Sequence, residues 1–247
     1  MRQDSKYIYS DGTYGDELNG EVIGILVIPS SHMEDDLPRY VSVKDLKSEA
    51  ATCVSGVSGE YQWGDGSKNL SCLELLPNNV VTPNGEVRIG TDGFLMSDKF
   101  GGGYNTSSAY ANDTRKIPHP YSGDYHLEDC ESAVADMSGV YNTKGMQWIG
   151  LKCAVDCAYK NFSDVEFYIP SMGELGYLFL RFNEFNEHLK MIPDSNLLTE
   201  QGCYWSSTPS TNREAWALGT YTGMAMTFSQ SCKFKVRPFI VKDELLF

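Results

Sequence analysis

The stretch from Gly202 to Val241 constrains this chain more than any other, because it reads as consecutive short strands joined by brief connections. Cys203 to Thr208, Ala215 to Leu218, Met224 to Phe228 and Phe234 to Val241 are each rich in aromatic, branched or hydroxyl-bearing residues of strand type. Between the first two runs, Pro209 to Arg213 carries Ser, Thr and Asn, which bond their own backbone in preference to a sheet ladder. A glycine turn at Gly223 separates the next two. The pattern predicts a small sheet with irregular loops on it, an arrangement that often carries a binding surface.

At 247 residues, 41% apolar and 12% aromatic, the chain can bury a sizeable core. Fifteen tyrosines and 23 glycines with few long apolar runs point to a loop-rich α+β protein. No composition break divides the sequence, so one domain over residues 1–247 is expected: strands within 7–43, a loop-rich insertion at about 52–135, then helices and the C-terminal sheet over 136–241. No apolar stretch reaches the ~18 residues of a membrane span, and the opening Met1-Arg2-Gln3-Asp4-Ser5-Lys6 has no apolar secretory core.

The net charge of -13 argues against nucleic-acid partners, which need clustered Lys and Arg. Seven acids and no Lys or Arg fall between Asp11 and Asp36. They read as a solvated face, since the ordered register of a calcium loop is missing. The seven cysteines (53, 72, 130, 153, 157, 203 and 232) cannot all pair, and the histidines at 32, 119, 126 and 188 are scattered. Cys153 and Cys157 lie one helical turn apart without a second pair at zinc spacing. Buried reduced thiols, no metal and no cofactor are the expectation.

Along the chain, Ser10-Asp11-Gly12-Thr13 reads as a turn, and Glu21 to Ile28 as a central strand stopped by Pro29. Arg39 to Val43 reads as a strand and Lys44 to Ala51 as a helix. From Thr52 to Asn112 turn residues dominate, Trp63 is expected in the core, and Ile117 to Tyr121 is stiffened by two prolines. Asn142-Thr143 can cap a helix running to about Tyr159, with Leu151, Ala154, Val155 and Ala158 as its buried stripe. Ser171-Met172-Gly173-Glu174 is a capping box. It opens a helix whose apolar stripe is Leu175, Leu178, Phe179, Phe182, Phe185 and Leu189, with Pro193 beyond its end.

Several of these pieces carry a resemblance. Tyr168 to Leu175, Tyr204-Trp205-Ser206-Ser207-Thr208, Ala215-Trp216-Ala217-Leu218 and Val236-Arg237-Pro238-Phe239 stand in the order seen in C-type-lectin-like domains. Asp136 to Thr143 is similar to the segment before the first helix of a bacterial branch of that family, and the Ser-Asp-Gly-Thr turn with the Ile-Gly-Ile strand to its opening. The branch includes gut-bacterial surface proteins, phage tail or receptor-binding proteins and the variable proteins of diversity-generating retroelements. The resemblance implies two helices packed on small antiparallel sheets with long irregular loops. It also implies a non-enzymatic role at a bacterial surface or phage tail in recognising a protein or glycan receptor. The triplets of calcium-dependent sugar binding, such as Glu-Pro-Asn and Trp-Asn-Asp, do not occur.

Within that scheme Trp205, Trp216 and Arg237 read as structural. The candidate ligand-binding residues are Thr208, Ser210, Asn212, Arg213, Tyr221, Thr222, Met224 and Ser229, on a surface spanning about 208–230. Tyrosine brings contact area at low entropy cost, Ser and Asn adaptable hydrogen bonds, Arg a planar fork; the same residue types also make ordinary solvated loops. Two alternatives stay open. One is a structural subunit of a phage tail or fimbrial assembly, with a homo-oligomer as its mark. The other is an enzyme of the formylglycine-generating type, with Cys203 and Cys232 as its thiols.

Overall fold

The computed structural model describes residues 4–33, 35–47, 60–64, 79–81, 87–89, 130–148, 151–158, 160, 165–210 and 214–242. In chain order these form β1 (Tyr7–Tyr9), β2 (Tyr14–Gly15), β3 (Val22–Ile28), β4 (Arg39–Ser42), β5 (Glu60–Gln62), β6 (Asn79–Val81) and β7 (Val87–Ile89). Helices α1 (Cys130–Ala135), α2 (Gly139–Trp148) and α3 (Lys152–Ala158) follow, then β8 (Val165–Tyr168), α4 (Met172–Leu180) and α5 (Phe182–Met191). The chain closes with β9 (Cys203–Pro209), β10 (Glu214–Gly219), β11 (Met224–Ser229), β12 (Lys233–Lys235) and β13 (Phe239–Lys242). The mixed α+β class agrees with the sequence expectation, but among the described residues five α-helices stand where the resemblance implied two.

One sheet has six strands in the order β2-β1-β3-β4-β13-β8, antiparallel throughout, with β3 in its interior as its apolar run requires. The Asp11 side chain accepts from the Thr13 amide at 2.9 Å, and Gly12 takes φ 77°, which joins β1 to β2. The second sheet has five strands in the order β11-β10-β9-β12-β5, with one parallel pairing, β12 on β9. Strand β5 lies inside the expected insertion yet forms this sheet's edge. The Trp63 and Trp205 indoles bind it in place, donating to the Ser206 carbonyl at 2.7 Å and the Tyr61 carbonyl at 2.8 Å. Strands β6 and β7 form a separate ladder.

Three local expectations need correction. Phe234 to Val241 is not one strand: it splits into β12 and β13, which belong to different sheets. Proline cannot donate to a ladder, and the fully buried Arg237 holds the crossing by donating to the Ser42 and Asn196 carbonyls at 3.0 and 2.8 Å and pairing with Asp45 at 2.8 Å. Those contacts explain why Lys44 to Lys47 is not helical; the remainder of that expected helix lies outside the described residues. Asp45 faces Arg237, and the Leu46 amide bonds the Val236 carbonyl at 2.8 Å. Asn142 and Thr143 do not cap a helix but sit inside α2. Asn142 donates to Asp136 at 3.0 Å, and Thr143 donates to the Ile169 carbonyl while accepting the Ile169 amide.

The helix expected to reach Tyr159 is two, α2 and α3. The inward face of α3 is Leu151, Cys153, Ala154 and Cys157, with Val155 only half-buried. The stripe after Ser171 is also shared between two helices, α4 and α5, which meet at Arg181. Leu175, Leu178, Phe185 and Leu189 are buried as expected, while the last residue of α4, Leu180, is 85% exposed. Ile117 to Tyr121 lies outside the described residues.

Candidate functional site

The capping box forms as its sequence demands, and it seats the second sheet on the helices. Ser171 accepts the Glu174 amide at 3.4 Å, while the Glu174 carboxylate accepts the Ser171 amide at 2.8 Å. Around it lies a buried polar cluster. The Ser171 hydroxyl donates to the Asp136 carbonyl at 2.6 Å, Tyr168 donates to Glu174 at 2.9 Å, and Arg39 approaches the same carboxylate at 3.6 Å. The Asp136 carboxylate accepts from Thr208 at 2.6 Å, Asn142 at 3.0 Å and the Ser138 amide at 2.9 Å.

Burial raises the Asp136 carboxyl above its ordinary value, with the Thr208, Ser138 and Asn142 hydrogen bonds pulling the other way. Burial likewise lifts Glu174 to about 7, against Arg39, the Ser171 amide and Tyr168. The carboxylates and hydroxyls of the cluster all have partners among the described residues, while the buried Arg39 Nε makes no hydrogen bond and only approaches Glu174, so the cluster reads as a clamp between α2, α4, β4 and β9.

This clamp corrects two of the expected contact residues. Thr208 is fully buried and spends its hydroxyl on Asp136 while accepting the Met172 amide at 2.8 Å. Ser210 is also buried, and its amide closes on the Glu214 carbonyl at 3.0 Å. Neither presents a side chain to a ligand. Asn212 and Arg213 lie outside the described residues. Trp205 and Trp216 are buried, as their strand positions led us to expect.

The outward-facing members fall at the two ends of β11. Tyr221 and Thr222 belong to the turn between β10 and β11 and Met224 opens β11, with Tyr221 83% and Met224 59% exposed. Ser229 is exposed at the far end, about 17 Å away for a six-residue strand, and shares a 2.8 Å hydrogen bond with Ser231. The turn is firmly shaped. The Gly223 amide bonds the Gly219 carbonyl at 2.8 Å, Thr222 caps the Met224 amide at 3.3 Å, and Gly223 takes φ 69°. A β-carbon at Gly223 would stand 2.5 Å from the Phe179 ring, so the turn is docked against the last turn of α4.

That docking brings in a residue the sequence reading missed. Leu180 follows Phe179, and among the described residues it and Tyr221 are the most exposed large apolar side chains. Its signal was available: Leu180 falls off the stripe that runs through Leu178, Phe179 and Phe182. Tyr221, Thr222 and Met224 are thus exposed around a turn that rests on Phe179, and Leu180 is exposed at the adjoining end of α4.

Among the described residues the thiols offer no comparable site. Burial raises Cys203, and its neighbour Cys232 raises it further, whereas a nucleophilic thiol requires the opposite shift. Cys153 is pushed up to about 12 by burial, and burial also raises Cys157 well above its ordinary value, which fits thiols packed as small hydrophobes in the core. Among the described residues no group of three or more His, Cys, Asp or Glu is arranged to hold a metal ion, and no helix is long and apolar enough to cross a membrane.

The chain matches no described protein family and no curated protein. Among solved structures its fold is similar to that of a fimbrial protein from Bacteroides ovatus ATCC 8483, with a TM-score of 0.54 at 13% sequence identity. The alignment takes in 97% of this chain and 49% of the fimbrial protein, so this chain spans about half of that protein's length. What the likeness establishes is an α+β fold shared with a bacterial fimbrial protein.

Proposed function

We propose that this chain is a recognition domain of a bacterial surface assembly, built on a C-type-lectin-like scaffold. It contacts a protein or glycan receptor through the β10–β11 turn and the adjoining end of α4. The observation that carries this reading is the exposure of Tyr221 and Met224 at a turn that rests on Phe179, with Leu180 exposed at the end of the same helix. Large apolar side chains grouped at a protein surface mark interaction sites, and a tyrosine on a rigid turn offers contact area with little entropy left to lose. The resemblance in the Tyr-Trp-Ser-Ser-Thr, Ala-Trp-Ala-Leu and Val-Arg-Pro-Phe segments supports the C-type-lectin-like scaffold of this reading.

A second reading, a structural subunit of a fimbrial assembly, draws support from the likeness to the Bacteroides ovatus protein. In that case the same surface meets a neighbouring subunit. The enzyme reading gains nothing from the raised Cys203 thiol.

The test uses protein-coated fluorescent beads on a glycan array and on epithelial and bacterial cells. Binding by the wild-type protein that falls about tenfold or more in Tyr221→Ala/Met224→Ser is expected, because central aromatic anchors carry most of an interface's energy. Absence of wild-type binding to every surface would reject receptor recognition. Co-assembly into fibres seen by electron microscopy would then select the subunit reading.

A further inference from the structure

Strand β11 ends the five-stranded sheet, and among the described residues no strand pairs with its outer side. Proteins guard such edges with charges, prolines or bulges, since an open ladder recruits other strands. Strand β11 itself carries none of these three. Met224-Ala225-Met226-Thr227-Phe228-Ser229 contains no charged residue and no proline. It pairs with β10 in unbroken register from Glu214↔Ser229 to Gly219↔Met224.

The gap in charge extends well beyond the strand. From Ala215 to Cys232 there are 18 consecutive residues without Asp, Glu, Lys or Arg, the longest such run in a chain of which 21% is charged. Helix α1, which packs on α4, also comes near β11, but a helix offers no strand backbone to an open ladder.

We propose that β11 pairs antiparallel with β11 of a second copy of this chain, joining two five-stranded sheets across a two-fold axis. The neutrality selects this occupant. Two copies of a protein with net charge -13 repel through most of their surface, and an uncharged edge is where that repulsion is least, whereas a basic partner would be met by acidic residues. A two-fold axis through the sheet sets one residue opposite its own copy. With Thr227 at the centre, Met226 faces Phe228 and Ala225 faces Ser229 on each side. Threonine pairs with threonine and a long apolar side chain with an aromatic one, both favourable cross-strand pairs. A six-residue edge buries less than a standard interface, so the dimer is weak and forms with rising concentration.

The inference goes beyond the receptor surface: the pairing centres on Thr227, three residues along β11 from Met224 at the turn. Sedimentation velocity on the full chain, from about 1 to 200 micromolar, reads it directly. The wild-type protein is expected to shift from monomer to dimer, and Thr227→Lys to raise the dissociation constant about tenfold or more by setting like charges opposite each other. Thr227→Glu should do the same alone, and an equimolar mixture of the two variants should dimerise again. That rescue separates lost pairing from lost folding. A wild-type monomer throughout the range, or a dimer that both variants retain, overturns the proposal. If bead binding persists while dimerisation fails, only the edge pairing falls and the receptor surface stands.

Discussion

Replacing Thr208 by valine removes a hydroxyl while keeping the side chain's shape, and it separates a clamp residue from a ligand contact. The Thr208 hydroxyl donates to the Asp136 carboxylate at 2.6 Å and accepts the Met172 amide at 2.8 Å, both in the interior. A hydrogen bond to a charged group contributes roughly 1.5–3 kcal/mol, and a buried donor left without an acceptor costs about 1–3 kcal/mol more. The new methyl recovers about 1 kcal/mol, so the net loss is about 3 kcal/mol. For a chain of this size that lowers Tm by roughly 6–12 °C. Urea titration and near-UV circular dichroism read the change, with the urea midpoint falling at constant slope. Thr208→Ser retains the hydroxyl and should lose only about 1 kcal/mol. A valine variant within about 0.5 kcal/mol of wild type would refute the clamp.

The Glu174 carboxyl is raised from 4.5 to about 7 and Asp136 shifts the same way, so both bind a proton more tightly in the folded chain. Their contribution is fully present below the unfolded values and is lost as pH climbs through the folded ones, on the order of 3 kcal/mol for Glu174 between pH 4.5 and 7. Urea midpoints at pH 5 and pH 8 should therefore show a steeper loss for wild type than for Glu174→Gln, and equal slopes would contradict this. Gly223→Ala should cost about 1–3 kcal/mol, since φ 69° and the Phe179 ring both oppose a β-carbon, and a melt unchanged from wild type would count against the docked turn. Of the five described cysteines, exposed Cys130 should react first with a thiol reagent, and buried Cys153 and Cys157 only on unfolding. Native labelling of Cys153 at the Cys130 rate would show that the core is packed differently.

Local rules made much of this fold legible, and long-range contacts made the rest invisible. The capping box at Ser171, the β3 run stopped at Pro29 and the strands from Cys203 to Ser229 follow from residues close in sequence. The break between β12 and β13 does not, because it depends on Arg237 reaching Asp45, Ser42 and Asn196 far along the chain. The same holds for Asn142 and Thr143, whose capping chemistry is diverted to Asp136 and Ile169.

At the site, residue type misled where burial decided. Threonine and serine suit an exposed loop as well as a buried clamp, and only the pairing of Thr208 with Asp136, 72 residues away, distinguishes them. Tyr221, Thr222 and Met224 were legible because a glycine turn between strands must reach solvent. The uncharged run from Ala215 to Cys232 is equally visible in the sequence, yet its meaning depends on β11 being an edge, which topology alone supplies.

Residues 208–230 divide into buried holders and exposed contacts, and one comparison of bead adhesion tests that division. Tyr221→Ala/Met224→Ser and Thr208→Val are measured on the same receptor-bearing surface, at a temperature where both variants are folded. The turn variant should lose about tenfold or more in binding with Tm within about 2 °C of wild type, while Thr208→Val should bind as wild type despite its lowered Tm. Full binding by the turn variant together with loss of binding by folded Thr208→Val would contradict it.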